Sequence, residues 1–440
     1  MVKYNSYKDS GIEWVGEIPK EWEKTKFNRL VNFQEGPGLR TFQFTDFGTK
    51  VICVTNITES GIDFSKFKKF ISEEEYKEKY KHFTVLKGDF LLSSSGNSWG
   101  KVSEYIDDEE VILNTSTIRL NTKNENIFNR KLIPYILNSN SVKIQLELLM
   151  TGSCQPNFGP THLDKIEMIF PPMIEQQQIV EFLDRKTSLI DSLIEKTQQK
   201  IELLKEKRTS LINQVVTKGL NSNVELKYTS VEWIGEIPNH WNESQFRFYI
   251  KLRHGYQFRE YDFTDFGIKI VKITQLHRDG YLDISNCSTI DENRLEKFNN
   301  ILIKKNDILM CLTGGTIGKI IKVGDINEPL LQNYRVGHFS PIDIQVLSND
   351  FMFYLMSSRV IVGQILYDVR ETGQPNIGLE DMNKMRICIP PLKEQKQIVE
   401  YLDEKTNLID TTISKEQKRV ELLKEYRQSL ISEVVTGKIK

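Results

Sequence analysis

Two long stretches of this chain carry apolar residues at alternating spacings of three and four, with no proline or glycine between. In the first, Leu183, Ile190, Leu204 and Leu211 share heptad position d, and Ile194, Ile201 and Val215 share position a. In the second, Leu402, Ile409, Leu423 and Leu430 stand at d, with Ile413, Val420 and Val434 at a. A period of 3.5 held over four heptads predicts a long helix with one narrow apolar seam. Pro171-Pro172 and Pro390-Pro391 precede the stretches, Glu175 and Glu394 fall in the first turns where a carboxylate complements the helix dipole, and Gly219 and Gly437 stand where a capping glycine belongs. Helices are therefore expected over 173–219 and 392–440. The remainder alternates short β-branched runs (Val51 to Val54, Phe90 to Leu92, Ile270 to Ile273, Ile308 to Met310) with turn residues, the pattern of mixed α and β domains.

The chain repeats itself. Gly11 to Glu23, GIEWVGEIPKEWE, returns as Ser230 to Asn242, SVEWIGEIPNHWN, with Trp14 shifted onto Trp233 by 219 residues. The same shift carries Phe44-Thr45-Asp46-Phe47-Gly48 onto Phe263 to Gly267, Gln155-Pro156-Asn157 onto Gln374-Pro375-Asn376, and EQQQIVEFLDRKT from Glu175 onto EQKQIVEYLDEKT from Glu394. The period is far longer than the ~20 to 50 residues of solenoid repeats, so two whole domain-plus-helix units stand in tandem. The expected fold is α+β: domains at 1–172 and 220–391, each followed by its helix. The helical segments match closely, whereas Gly61 to Glu110 and Gly280 to Ile326 share little. Something common is kept by the helices and something different is met by the loops.

Each seam has two possible partners, its own domain or the other seam. Pairing of the two seams as an antiparallel coiled coil is the sharper expectation, and the polar breaks set a register. Thr197 and Glu416 interrupt position d, and Arg208 and Arg427 interrupt position a. With residue numbers summing to about 624, Arg208 meets Glu416, Arg427 meets Thr197, and Ile194 meets Leu430. Such a charged layer speaks for register more than for stability. Some 40 helical residues at ~1.5 Å each would span roughly 60 Å and hold the two domains at opposite ends, as a palindromic dimer does.

Composition narrows the chemistry. Lysine plus arginine (59) nearly cancels aspartate plus glutamate (60), so nonspecific grip on phosphates is not built into the chain as a whole; a nucleic-acid role has to rest on local patches or on partners. The five cysteines are scattered and never spaced as Cys-x-x-Cys, which favours a reduced cytoplasm over a disulfide or zinc scaffold. The first residues, MVKYNSYKDS, lack an apolar signal core, and no membrane span is expected.

The most polar, glycine-rich loops are Ser93 to Lys101 and Thr313 to Lys319. Neither has the spacing or the hydroxyl after lysine of a phosphate-binding P-loop. They are either ordinary tight turns or a way to set Ser94, Ser95, Asn97, Thr313 and Thr316 against a DNA groove, with Lys101 and Lys319 on phosphate. Their matching places and different sequences favour DNA contact. Gln155, Asn157, Gln374 and Asn376 are amides of the kind that pair with adenine edges, although their identity in both copies suits a structural turn equally well. Arg40 and Arg259 flank the aromatic turns, as phosphate contacts or as plain solvated surface. Trp14, Trp22, Trp233 and Trp241 are expected to fix the N-terminal segments in the cores.

Catalytic machinery is not evident. The six histidines show no metal-binding spacing. Phe170-Pro171-Pro172 and Ile389-Pro390-Pro391 lack the leading amide or carboxylate of an adenine methyltransferase motif, and no glycine loop for S-adenosylmethionine is visible. Glu-x-Lys triplets such as Glu75-Tyr76-Lys77 carry no weight in a chain that is 27% charged.

Taken together, W-x-G-E-I-P-x-x-W at the head of each half, the Gly-Lys loop, Gln-Pro-Asn, and Phe/Ile-Pro-Pro followed by Glu-Gln-x-x-Ile-Val and a heptad helix resemble the specificity subunit of type I restriction-modification enzymes, over essentially the full chain. The resemblance implies two target-recognition domains reading a split, asymmetric site on double-stranded DNA, spaced by an antiparallel coiled coil. It implies two methyltransferase subunits docked on the chain and restriction subunits beyond them. S-adenosylmethionine, ATP and magnesium would belong to those partners, and this chain would hold no cofactor, metal or catalytic residue. A coiled-coil adaptor carrying two protein-binding domains is the alternative, distinguished by the absence of sequence-dependent DNA binding even with partners present.

Overall fold

The computed structural model describes residues 4–65, 68–150, 156–231, 234–277, 280–372 and 376–439. The chain packs as two units, Met1–Gln198 with Gln417–Lys440, and Gln199–Glu416. The expected segments follow the elements along the sequence; the compact units instead cut through both long helices, because each globular domain packs on part of each helix.

In the first unit an antiparallel sheet runs in the order Val102–Glu104, Phe90–Ser93, Thr117–Thr122, Val31–Glu35. A second sheet, Phe70–Ile71, Thr49–Ile52, Val111–Leu113, Thr84–Val85, contains one parallel pair, Thr49–Ile52 with Val111–Leu113. Two of the middle strands, Phe90–Ser93 and Val111–Leu113, are buried at every position because both of their faces are covered. Helices Leu132–Asn138 and Asn140–Leu149 follow the sheets. The second unit repeats the plan with Ile250–His254, Val336–Pro341, Ile308–Cys311 and Ile320–Lys322 in one sheet, and Ile268–Val271 parallel to Leu330–Gln332 in the other.

The helices run Met173–Lys218 and Leu392–Val435. Gly219 and Gly437 follow them at φ +69° and +71°, a conformation only glycine adopts readily, and a Cβ on Gly437 would come within 2.3 Å of Pro19. Glu175 and Glu394 do more than face the dipole. The buried Trp22 indole N–H donates to Glu175 Oε2 (2.5 Å) and that of Trp241 to Glu394 Oε2 (3.1 Å). The next residue is a second clamp. Gln176 donates to Ile127 O and Pro171 O and accepts from Asn129 N–H; Gln395 does the same with Val346 O, Pro390 O and Ser348 N–H. The Glu-Gln pair thus ties the N-terminal segment and a pre-helix loop to the helix start, which accounts for its presence in both halves. Trp22 and Trp241 are core anchors as expected, Trp14 is 40% exposed and is not, and Trp233 lies outside the described residues.

Within each unit the helix segments lie antiparallel and share a core. Leu183 and Ile190 cluster with Leu430, Ile431 and Val434 in the first unit, and Ile212, Val215 and Val216 with Ile398, Val399 and Leu402 in the second. Those clusters also hold domain residues such as Phe128 and Phe351, so the seams serve both anticipated partners. The polar register differs from the expected one. Arg208 pairs with Asp410 (Nε to Oδ1 2.9 Å) rather than Glu416, and Arg427 with Asp191 (2.8 Å) rather than Thr197, so both partners shift by the same six residues, 416 to 410 and 197 to 191. Glu416 accepts from Lys200 (2.6 Å), and the Thr197 hydroxyl donates to Leu193 O of its own helix (2.7 Å). The residue numbers of these pairs sum to 616–618 where about 624 was expected, a slip of about one heptad that still sets each a against a d, and the half-exposed aspartates keep both charged pairs in contact with water.

Candidate nucleic-acid interface

Two loops that are distant in sequence meet at the end of each main sheet. In the first unit the strand Phe90–Ser93 turns back on itself, with Gly100 N–H donating to Ser93 O (2.8 Å) and Ser93 N–H to Lys101 O (2.9 Å). Gly96 and Gly100 make the reversal possible at φ +63° and +80°. Ser95 then bridges to Asn157, Gly96 N–H donates to Pro156 O (3.1 Å), and Phe158 N–H donates to Ser94 O (3.0 Å). The second unit is built alike: Thr313 bridges Asn376, Ile377 N–H donates to Leu312 O (2.9 Å), and Gly318 N–H donates to Cys311 O (2.9 Å). The glycine-rich loop and the Gln-Pro-Asn segment, singled out separately in the sequence, therefore form one edge. Gln155 and Gln374 themselves lie outside the described residues.

The side chains sort into those the edge presents and those it consumes. Asn97, Asn157 and Asn376 are exposed, and Ser95 is half-buried. Ser94 is fully buried and donates its hydroxyl to Ser116 O (3.0 Å), so it holds the loop instead of facing a ligand. Lys319 likewise turns inward, donating to Leu276 O (2.6 Å), and the Thr316 hydroxyl is hydrogen-bonded to the Cys311 thiol. Burial dominates that thiol, raising its pKa above the ordinary 9.0. Lys101 and Asn97 line a cleft of about 930 Å³ shared with Tyr135, Lys143 and Arg427. Arg40 and Arg259 are exposed, each on a turn whose first N–H is capped by a side chain, Gln43 Oε1 (2.9 Å) and Asp262 Oδ2 (2.8 Å). Among the described residues, three buried polar atoms at this edge, Ser93 Oγ, Asn114 Oδ1 and Thr313 Oγ1, have no hydrogen-bond partner.

The type I restriction modification DNA specificity domain matches residues 19–203 and again 257–422. The chain belongs to this family. Among similar proteins, the MjaVIII specificity subunit of Methanocaldococcus jannaschii, a type I restriction enzyme component, is 26% identical over 96% of this chain and 94% of its own length. The EcoBI specificity subunit of Escherichia coli is 21% identical over 75% of this chain and 70% of its own. A solved chain from work on complex assembly and conformational transition of the type I R-M system superposes with a TM-score of 0.69 at 13% identity, covering 96% of this chain and 99% of that one; at such identity the likeness is one of fold. Both matched stretches are DNA specificity domains, in agreement with the tandem repeat, and the fold is that of type I specificity subunits. Among the described residues no group of three His, Cys, Asp or Glu side chains could hold a metal, and no helix is long and apolar enough to cross a membrane.

Two features of this type I specificity chain escaped the sequence. The loops Asn114–Thr117 and Asn333–Val336 join the same edge through backbone bonds, Ser94 N–H to Ser116 O (2.9 Å) and Leu312 N–H to Arg335 O (3.1 Å). Nothing in composition marks them, since their place depends on pairing between strands far apart in the chain. The aromatic turns also present Phe42, Phe47, Tyr261 and Phe266 to solvent, each more than four-fifths exposed. Thr45 and Thr264 donate to Phe47 O (2.8 Å) and Phe266 O (2.7 Å), and a Cβ on Gly48 or Gly267 would overlap Ile71 O or Ile290 O, so each turn is held close against the strand end beside it. Their signal was the identity of Phe-Thr-Asp-Phe-Gly in both halves.

Proposed function

We propose that this chain reads a bipartite, asymmetric site on double-stranded DNA and thereby directs adenine methylation and restriction by partner subunits in the cytoplasm. Residues 1–172 and 220–391 act as target-recognition domains, and helices 173–219 and 392–440 space them. The observation that carries this reading is that the same edge recurs in both units on the same backbone bonds but with different residues: Asn97 in one unit is replaced by Gly315 in the other, Ser95 by Thr313, and Ser116 by Arg335. A common scaffold with divergent tips suits two different half-sites. Asn97, Asn157, Asn376, Ser95, Thr313, Arg40 and Arg259 are the contacts proposed, and Gln155 and Gln374 are added to them on sequence alone.

Two methyltransferase subunits and the restriction subunits supply the chemistry, with S-adenosylmethionine, ATP and magnesium on those partners. Leu189 and Leu203, and their repeat equivalents Leu408 and Leu422, stand exposed on the helices outside the seam. Identical apolar points in each repeat suit two copies of one partner. The near-neutral charge of the chain accords with partners that complete the clamp on DNA.

The test is co-expression with methyltransferase subunits followed by genome-wide mapping of methylated adenine. One bipartite motif is the expected result. Methylation by the purified chain alone would overturn the non-catalytic role, and no sequence-dependent methylation or binding in the assembled complex would leave the adaptor reading in its place.

A further inference from the structure

We propose that Arg335 reads a guanine in the half-site of the second recognition domain. The inference rests on the DNA-reading function proposed above and adds the residue and the base. Arg335 is exposed and lies at the edge where the glycine-rich loop meets Asn376, its carbonyl accepting from Leu312 N–H (3.1 Å). The loop that carries it is fastened on both sides. Tyr334 N–H donates to Tyr256 O (3.0 Å), Tyr256 N–H donates to Gln332 O (3.1 Å), and Arg335 N–H donates to Asn333 Oδ1 (3.3 Å).

The guanidinium is itself oriented. Its Nε–H donates to the Tyr334 hydroxyl (2.6 Å), and it lies 5.4 Å from the centre of that ring. Among the described residues no hydrogen bond or ion pair engages Nη1 or Nη2. An arginine held through Nε keeps its terminal fork of donors in a fixed plane, which matches the two acceptors, O6 and N7, that guanine shows in the major groove. A lysine or a free arginine would reach a phosphate equally well; the tyrosine tether is what favours a base edge.

The first unit has opposite chemistry at the equivalent places. Ser116 takes the position of Arg335, at φ +60°, and donates its N–H to Glu35 Oε1 (3.1 Å), where the second unit has His254 beside Tyr334 O (3.4 Å). A carboxylate has no donor for guanine and a serine hydroxyl has only one, so neither can make the two-donor contact, and the two half-sites should differ at the base pair met there.

The experiment maps adenine methylation in the complex carrying R335A and, separately, R335K. Loss of preference for guanine at one position of one half-site, by roughly ten- to a hundred-fold, with the other half-site unchanged in both variants, is the expected result. R335K retains the charge, so it should relax the position as well if the fork matters. If R335A abolishes methylation, R335K alone decides. A uniform loss without relaxed sequence preference, or retention of the wild-type motif by R335K, overturns the inference in favour of a phosphate contact or no contact. A wild-type complex that methylates no bipartite motif would instead defeat the function on which it rests.

Discussion

At the scale of single residues, the side chains that do most to shape this molecule are polar and buried. Gln176 is fully buried and spends both ends of its amide on backbone groups, Ile127 O, Pro171 O and Asn129 N–H. Q176L should leave those groups unpaired and lower stability by about 2 kcal/mol or more, read as a lower midpoint in urea unfolding. Asp262 offers a pH-dependent counterpart. Its carboxyl is held below the usual 3.8 by the Arg259 N–H and by Arg294, 2.9 Å away, against the opposing effect of burial. A depressed folded-state pKa stabilises the protein above the unfolded value, and that contribution fades as pH falls through the folded one. The melting temperature of D262N should therefore lie below that of the wild type at pH 7, and the gap should close as pH falls below about 3.8; a gap independent of pH would contradict the assignment. The sequence pointed to Ser94 and Lys319 for their chemistry, yet burial turned both inward, and single-residue identity cannot reveal which way a hydroxyl or ammonium faces.

At the scale of elements, the long helices were legible in their extent because 3.5-residue periodicity and capping residues act locally. Their register was legible only in sense. Arg208 and Arg427 sit at seam positions, but a heptad seam looks the same after a slip of seven residues, and each arginine found an aspartate six residues from the expected partner. This changes what a substitution should do. With Arg208 about one-third exposed, R208L is expected to keep the antiparallel pairing and cost only about 0.5–1 kcal/mol, and a double-mutant cycle with D410L should assign most of that cost to the pair. Thermal unfolding of the four proteins measures it, and a non-additive term near zero would show that the pair contributes nothing.

At the scale of the whole molecule, charge decides how the chain meets DNA. A net formal charge of −1 confines phosphate contacts to local patches, so few counterions are released by the chain alone. The chain alone should bind a DNA duplex weakly and with a shallow dependence on salt, and the complex with methyltransferase subunits should show a clearly steeper slope of log K against log salt in fluorescence titrations. Equal slopes would mean that the partners add no grip on the backbone. The tandem organisation was readable from the repeat, whereas the compact units were not, since they join the 417–440 segment to the first domain and so depend on packing between remote stretches.

The sequence by itself determined the two repeats, the helices with their caps, and the class of protein, because periodicity, glycine and proline placement, and motif order are properties of neighbouring residues. Tertiary structure decided which of the polar residues face outward. Strand pairing set Ser95 against Asn157 and Thr313 against Asn376, and brought Ser116 and Arg335 to the same edge from more than twenty residues farther along. Such meetings depend on which strands share a sheet, and no local pattern encodes that.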